Sequence, residues 1–258
     1  MFKKDFPILE FDEDRKALIR PSQRPNRIQS AGEADRCVLC FFSVAIEKII
    51  SECPHKIVSY FKAESVKLPV YEIEYKGQKM ILHQAYVGAP GAAGQIEELV
   101  DLGCHKFIAC GGCGVLQNDL AVGHLIIPIS AVRDEGTSYH YIEPAREISA
   151  NIRVVEIMEK TMTEQNVPYL KAKTWTTDAF YRETPAKINL RKSEGCVTVE
   201  MEASAYFAAS QYNNVDFGQI LYAGDSLAGD EWDNRGWADK ADVREYVLRL
   251  ALDCCLNM

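Results

Sequence analysis

Segments with a strand-like apolar pattern alternate with segments of helical period, and this alternation limits the fold more than any other feature. Apolar runs typical of buried strands occupy residues 37–42, 106–110 and 217–223. Apolar side chains recur at helical spacing through residues 148–165 and 242–255. Because strands that alternate with helices pair mostly in parallel, the pattern predicts a three-layer α/β fold. Its central sheet is expected to be mostly parallel or mixed, twisted, and covered by helices on both faces.

The composition gives no reason to divide the chain. No internal repeat, low-complexity tract or linker separates the predicted elements. We therefore predict a single domain over residues 1–258. Residues 1–30 are polar and contain Pro7, Pro21 and Pro25, which predicts an arm that lies on the surface or against a neighbouring subunit.

Charge and hydropathy exclude two classes of partner. The chain has 37 Asp+Glu against 29 Lys+Arg, a net charge of -8, and no basic cluster. Binding to nucleic acid or to an anionic membrane is therefore not expected. No window approaches the ~18 uninterrupted apolar residues of a membrane helix. No apolar run follows Lys3 and Lys4, so a secretory signal is not expected.

The cysteines predict a reducing compartment. Nine cysteines are present, an odd number without a disulfide framework, so buried free thiols in the cytoplasm are expected. Cys37/Cys40 and Cys110/Cys113 are CxxC pairs, which raises the possibility of a zinc site. The first pair lies in a predicted strand, where successive side chains point to opposite faces, so packing is favoured over chelation. No metal site is predicted.

Two segments of the chain are rich in glycine. The run Gly111-Gly-Cys-Gly114 is expected to form a loop at the end of the strand 106–110. Since ligands of α/β sheets bind beyond the carboxyl ends of the strands, the loops at Gly111, Thr177 and Asp225 are expected to converge. Neither this run nor Gly88–94 matches a dinucleotide fingerprint or a lysine-containing phosphate loop, although their amides could hold an anion.

Two carboxylates stand where a predicted buried strand meets a helix. Glu200 and Glu202 flank Met201 in the segment Val197-Thr-Val-Glu-Met-Glu-Ala-Ser-Ala-Tyr-Phe. Acidic residues early in a helix can complement its dipole. Two neighbouring buried carboxylates nevertheless need hydrogen-bond partners. The hydroxyl groups of a ribose would supply them.

This segment resembles the ribose-binding signature of the nucleoside phosphorylase-I superfamily. That superfamily includes uridine phosphorylases, hexameric purine nucleoside phosphorylases and methylthioadenosine/adenosylhomocysteine nucleosidases. The resemblance extends over roughly residues 35–235. The other matching segments follow in the family's order: Gly88-Ala-Pro-Gly with Glu97-Glu-Leu, Phe107-Ile-Ala-Cys-Gly-Gly-Cys-Gly, Ala131-Val-Arg-Asp-Glu-Gly-Thr-Ser, Thr177-Asp-Ala-Phe-Tyr and Ala223-Gly-Asp-Ser.

The resemblance implies roles for individual residues. Glu202 resembles the carboxylate that binds the ribose 2′ and 3′ hydroxyls, Met201 the thioether under the sugar, and Glu200 their supporting carboxylate. Phe180 resembles the aromatic residue that packs on the base. Asp225 resembles the aspartate that protonates N7 of a leaving purine.

The implied chemistry is cleavage of a nucleoside N-glycosidic bond, most simply by phosphorolysis to a free base and a pentose 1-phosphate. Contacts to the sugar hydroxyls that tighten as an oxocarbenium-like transition state develops would accelerate it. An acid at N7 would assist the poor leaving group. Asp225 favours a purine, since the Gln-x-Arg pair that reads uracil is not found after Phe180, although Arg182 could reach a base edge. Phosphate is a co-substrate, and no cofactor is expected.

The chain departs from the family in the residues that bind phosphate. The turn after the first strand, residues 41–48, has no arginine, and Ala109 stands where a second arginine is usual. The remaining candidates are the amides of Gly111 and Gly112, the hydroxyl of Ser43, and Lys67 from a neighbouring subunit.

Two alternatives to phosphorolysis stay open. A hydrolytic nucleosidase would use a carboxylate to activate water, and Glu47, shortly after the first strand, is the candidate base. A nucleoside-binding protein without turnover is the second alternative, because a fold alone does not guarantee chemistry. By analogy with the family, assembly as a homodimer or hexamer is expected.

Overall fold

The computed structural model describes residues 3–23 and 34–258. Within these residues the strands are β1 (Arg36–Cys40), β2 (His55–Ala63), β3 (Val66–Tyr75), β4 (Gln78–Gln84), β5 (Lys106–Val115), β6 (Leu125–Asp134), β7 (Glu147–Ser149), β8 (Tyr169–Thr177), β9 (Cys196–Glu200) and β10 (Asp216–Ser226). The α-helices are α1 (Ser43–Glu52), α2 (Ala89–Leu102), α3 (Ile152–Glu164), α4 (Pro185–Ser193), α5 (Ala203–Asn213) and α6 (Ala241–Leu256).

The strands form one mixed sheet in the order β10-β6-β8-β9-β5-β1-β4-β3-β2, with β7 beside β6. Parallel pairs join β1 to β4 and β5, β5 to β10, β6 to β8, and β8 to β9. Because β10 pairs with β5 as well as with β6, the strands β5, β10, β6, β8 and β9 close into a ring. The mixed sheet was predicted, and its partial closure was not.

Helices cover both faces of the sheet, which confirms the predicted three-layer α/β fold. Along β1, Val38 and Cys40 point to the face where α1, α3 and α6 pack. Cys37 and Leu39 point to the opposite face, where α2 and α5 pack. The alternation of side chains along a strand therefore explains why the apolar run of β1 is unbroken, since both faces are buried.

The ends of two helices carry residues that commonly begin or end a helix. Helix α2 follows Gly88, has Pro90 in its first turn, and ends at Gly103 in the left-handed conformation with φ 115°. Helix α5 ends at Asn214, which is also left-handed, with φ 53°. The helix predicted from residue 148 begins later, after Asn151, because Glu147–Ser149 pairs with β6 as β7.

The glycine run 111–114 is a correction to the predicted loop, because it lies within β5. A Cβ at position 111 would lie 2.8 Å from the Phe41 ring, and one at position 114 would lie 2.7 Å from Leu227 Cδ1. These glycines therefore make room for side chains of neighbouring segments and do not form a turn. Strand β2 and helix α4 were also missing from the prediction.

The predicted arm is described only in part, since residues 1–2 and 24–30 lie outside the described residues. In the described part, the guanidinium of Arg15 lies 4.4 Å from the ring centroid of Tyr212, at the end of α5. The Tyr212 hydroxyl donates to the carbonyl of Arg15 at 3.2 Å. Here the arm lies on the surface of its own chain. A subunit contact and the single-domain organisation stay predictions.

The cysteines of the described structure are all free. Cys53 is half-buried and the other eight are buried. Separately, none of the helices described is long and apolar enough to cross a membrane.

Candidate active site

A cavity of about 840 Å³ opens at the carboxyl ends of β1, β5, β8, β9 and β10. It brings together residues from segments far apart in the sequence, as expected for a sheet of this type. Seven of the predicted site residues line it: Gly111, Gly112, Phe180, Glu200, Met201, Glu202 and Asp225. Four do not: Ser43, Glu47, Lys67 and Arg182.

Glu200 ends β9 and holds the first turn of α5. Its Oε2 accepts the amides of Glu202 at 2.8 Å and Ala203 at 2.6 Å. Its Oε1 accepts the hydroxyl of Thr176 at 2.7 Å, and a longer bond comes from Thr174 at 3.4 Å. The carboxylate therefore satisfies amides that the helix start leaves unpaired, and it fixes the backbone of Glu202.

Glu202 lies at the start of α5 and is bonded to the start of α2. Its Oε1 accepts the amide of Gly88 at 2.6 Å. Burial raises the pKa of both Glu200 and Glu202, and the nearby charge of Glu200 raises that of Glu202 further. The bonds donated to Glu200 favour its charged form, so a proton held by this pair belongs on Glu202. Hydroxyl donors of a ligand would stabilise the charged form of Glu202.

One end of the cavity is built from the segment after β8 and the end of β10. The indole Nε1 of Trp232 donates to Asp225 Oδ2 at 2.7 Å. Glu183 lines the same end, and burial together with the negative charge of Asp225 raises its pKa to about 7. The rings of Phe180 and Tyr181 lie beside it, with centroids 4.1 Å apart. A carboxyl group that still holds a proton near neutral pH, as Glu183 does, is a suitable source of a proton for general acid catalysis.

The four predicted residues outside the cavity have other surroundings. Ser43 is the first residue of α1, and Glu47 is exposed on the same helix. The ammonium of Lys67 lies 4.1 Å from the ring centroid of Tyr60. Arg182 is exposed in the short 3-10 turn Phe180–Arg182, directly before Glu183.

The end of the cavity near β1 contains residues that the sequence analysis missed. Arg244 of α6 lines it, and its Nε donates to the hydroxyl of Tyr222 at 3.1 Å. Gln219 of β10 also lines it. An amide in the otherwise apolar run 217–223 was the available signal for Gln219, whereas an arginine in an amphipathic helix gave none.

No group of three or more His, Cys, Asp or Glu side chains suited to a metal ion is found in the described parts of the chain. The two thiols of the first CxxC pair are not placed to bind one metal ion together. Cys37 packs on one face of β1 and Cys40 on the other.

The chain belongs to the phosphorylase superfamily, whose family model matches residues 35–252. Two curated relatives share comparable identity with it. The guanosine phosphorylase of Halorubrum lacusprofundi is 29% identical over 201 residues, covering 74% of this chain and 81% of the relative. A DeoD-type purine nucleoside phosphorylase of Brevibacillus brevis is 28% identical over 191 residues, covering 70% and 77%. The resemblance to nucleoside phosphorylases is thereby confirmed.

Solved structures agree on the fold. A purine nucleoside phosphorylase from Toxoplasma gondii aligns with a TM-score of 0.76 at 21% identity, covering 87% of this chain and 91% of that one. An AMP nucleosidase from Bacteroides thetaiotaomicron aligns with a TM-score of 0.66 at 20% identity, covering 84% and 85%. At these identities the likeness concerns the fold alone.

Proposed function

We propose that the protein cleaves the N-glycosidic bond of a purine-type nucleoside by phosphorolysis, releasing the base and a pentose 1-phosphate. The observation that carries this proposal is that Glu202 and Asp225 line one cavity, in a chain of the phosphorylase superfamily. The cavity volume of about 840 Å³ leaves room for a nucleoside and a phosphate ion.

At the sugar end, Glu202 accepts hydrogen bonds from the ribose 2′ and 3′ hydroxyls, and Met201 lies under the sugar. Glu200 is a positioning residue, because the amide that it accepts belongs to Glu202. As the bond between C1′ and the base nitrogen stretches, the sugar gains positive charge. The negative charge of Glu202 stabilises that charge through hydroxyl contacts that strengthen in the transition state.

At the base end, Asp225 donates a proton to N7 as the bonding electron pair moves onto the base. A phosphate oxygen then forms the new bond to C1′. Trp232 orients the Asp225 carboxyl through its indole donor. Glu183, whose raised pKa keeps a proton on it near neutral pH, supplies that proton to Asp225, while Phe180 packs on the base. The two carboxyl groups support a purine, whose N7 accepts the proton.

Base release from inosine, guanosine, adenosine and uridine, with and without phosphate, tests the proposal. We expect release to require phosphate and to be faster for at least one purine nucleoside than for uridine. Release that is undiminished without phosphate would instead favour hydrolysis. Binding of nucleosides without cleavage in any condition would favour the non-catalytic alternative.

We propose further that the chain acts in the cytoplasm as a homodimer or hexamer. Support comes from exposed apolar side chains at the rim of the cavity, where Val87, Tyr181 and Trp232 are exposed. Such a patch is typical of a surface that another molecule covers. Light scattering tests this assembly, and a monomer at all concentrations would contradict it.

A further inference from the structure

Two arginines of α6 differ in whether carboxylates of the chain pair with their positive charge. Arg249 forms ion pairs with Glu52 at 2.5 Å and Glu245 at 2.8 Å. Arg244 lines the cavity and has no ion pair with any carboxylate of residues 3–23 and 34–258. It is nevertheless well positioned, since its guanidinium carbon lies 5.3 Å from the ring centroid of Phe42 and 5.2 Å from that of Trp237. A fixed cation without a counter-ion is suited to an external anion.

Gln219 presents a buried amide without a partner to the same cavity. It is 1% exposed, and neither Nε2 nor Oε1 has a hydrogen-bond partner among the described residues. On the neighbouring strand it is paired with Ala109, whose methyl group offers it no hydrogen bond. Because buried amides are normally hydrogen-bonded, the group is expected to find its partner in a ligand.

Gly112 supplies a backbone donor to the same cavity. The Phe41 amide donates to the Cys110 carbonyl at 3.2 Å, while pairing of β5 with β9 begins only at Gly114. Along β5 the backbone N–H and C=O groups of successive residues point to opposite edges of the strand. Gly112, two residues after Cys110, therefore directs its N–H to the same edge as the Cys110 carbonyl, into the opening between β1 and β9. A Cβ at position 112 would lie 3.3 Å from the ring of Tyr222, whose hydroxyl accepts from Arg244.

The two side chains approach the opening from opposite faces of the sheet. Tyr222 and Arg244 lie on the face covered by α6, whereas Gln219, an odd number of residues from Tyr222 along β10, points to the other face. A ligand seated at the carboxyl edge of the sheet, beyond the last residue of β1, would therefore be approached from both faces of the sheet. Gly112 lies at that edge, two residues beyond the last residue of β5 that pairs with β1.

We propose that this end of the cavity is a subsite for a tetrahedral phosphate group, held by the Arg244 guanidinium, the Gln219 amide and the Gly112 N–H. The guanidinium supplies the charge in a geometry that matches two phosphate oxygens, and the other two groups supply neutral donors. The inference rests on the proposed function, in which phosphate attacks C1′. It assigns the phosphate-binding role to residues other than Ser43 and Lys67.

Steady-state kinetics with phosphate as the varied substrate test the subsite. Arg244→Gln is expected to raise the KM for phosphate about 10- to 100-fold, the effect of losing a charge-assisted hydrogen bond. The KM for the nucleoside is expected to stay close to that of the wild type. Arg249→Gln removes the same charge from the same helix outside the cavity, and it is expected to leave the KM for phosphate unchanged.

Gln219→Leu distinguishes ligand binding from a structural role. Leu has a similar volume and removes two buried polar atoms that have no partner, so the Tm without ligand is expected to stay the same or rise. The KM for phosphate is expected to rise. A lower Tm together with an unchanged KM would assign Gln219 to folding and overturn its part in the subsite.

Thermal shifts separate this inference from the proposed function. We expect inorganic phosphate to raise the Tm of the wild type but not that of Arg244→Gln. If that holds while base release proves independent of phosphate, the proposed function fails and the subsite stands. A shift by a nucleoside 5′-monophosphate alone, dependent on Arg244, would also support the subsite, with the phosphate carried by the substrate. The subsite would be overturned if the KM for phosphate and the rise in Tm caused by phosphate were the same in Arg244→Gln and Gln219→Leu as in the wild type.

Discussion

The two ends of the cavity, to which we assign the sugar and the base of the proposed substrate, are built in different ways. Glu200 and Glu202 are each 6% exposed, and backbone amides from the starts of α5 and α2 hold their carboxyl groups. At the base end, Phe180 is 51% exposed and Trp232 is 62% exposed, and both lie outside the α-helices and strands. The sugar end is therefore preorganised by the core of the fold. The base end depends on surface segments that a bound ligand or a second subunit would cover.

This difference has a chemical counterpart. In the proposed mechanism the sugar end acts on every substrate, because all of them pass through the same sugar cation. The base end must act only where the leaving group needs a proton. Variants at the two ends should consequently respond differently to a change of leaving group.

Asp225→Asn is expected to have the largest effect on purine nucleosides. Losing a general acid lowers kcat/KM by about 10²- to 10⁴-fold. For a nitrophenyl riboside, whose leaving group needs no proton, the loss is expected to be small. Measuring kcat/KM for both substrates checks this, and equal losses on the two would remove the distinction between the ends.

Glu202→Gln is expected to lower kcat/KM by about 10²- to 10³-fold, as for other groups that stabilise developing charge. Unlike Asp225→Asn, it should lower the rate with the nitrophenyl riboside to the same extent as with a purine nucleoside. A loss confined to the purine nucleoside would place Glu202 at the wrong end. Circular dichroism serves as the control for folding.

Glu202→Gln should also change the dependence of stability on pH. A buried carboxyl with a raised pKa binds its proton more tightly in the folded state, so the free energy of unfolding of the wild type falls as pH rises past the unfolded value. Glutamine removes this dependence. Urea unfolding at pH 6 and pH 9 is expected to show a smaller loss for Glu202→Gln than for the wild type.

Glu200→Gln is expected mainly to lower the free energy of unfolding. It weakens the bonds to the amides of Glu202 and Ala203, which costs about 1–3 kcal/mol for a buried charged acceptor. Glu64→Gln, an exposed change in the turn between β2 and β3, is the matched control and should leave the free energy of unfolding unaltered. Activity lost without any loss of stability would indicate that Glu200 contacts the substrate directly.

The smallest effect is expected for Glu183→Gln, and it concerns how kcat/KM depends on pH. The raised pKa of about 7 means that Glu183 is neutral below that pH and loses its proton above it. If that proton supplies Asp225, kcat/KM for purine nucleosides falls as pH rises through 7, and Glu183→Gln removes this step. An unchanged profile in the variant would separate Glu183 from the proton transfer.

The elements with a clear hydrophobic pattern were predictable, and those without one were not. The buried strands β1 and β10 and the capped helix α2 could be predicted because burial and capping leave local marks in the sequence. In the part of the chain that the structure describes, strand β2 pairs only with β3. It lies at the edge of the sheet and is mostly exposed, so its residues carry no apolar period. Helix α4 is short and has few buried residues, which hides it in the same way.

The residues of the candidate site also fall into predictable and unpredictable groups. The segment 200–202 and Asp225 could be found because their residues resemble a known pattern. Glu183, Gln219 and Arg244 could not, because their meaning depends on the cavity that tertiary structure creates around them. The glycines at 111 and 114 were misjudged for a related reason. A glycine that makes room for a distant ring looks the same in sequence as a glycine that forms a turn.

The central claim is that one cavity holds the sugar of a nucleoside at 202 and its base at 225. A crystal structure with a purine C-nucleoside, whose carbon–carbon glycosidic bond resists cleavage, tests it most directly. We expect the 2′ and 3′ hydroxyls to lie about 2.6–3.2 Å from the Glu202 carboxylate, with N7 at the same distance from Asp225. A nucleoside bound in the reverse orientation, or outside this cavity, would contradict the claim.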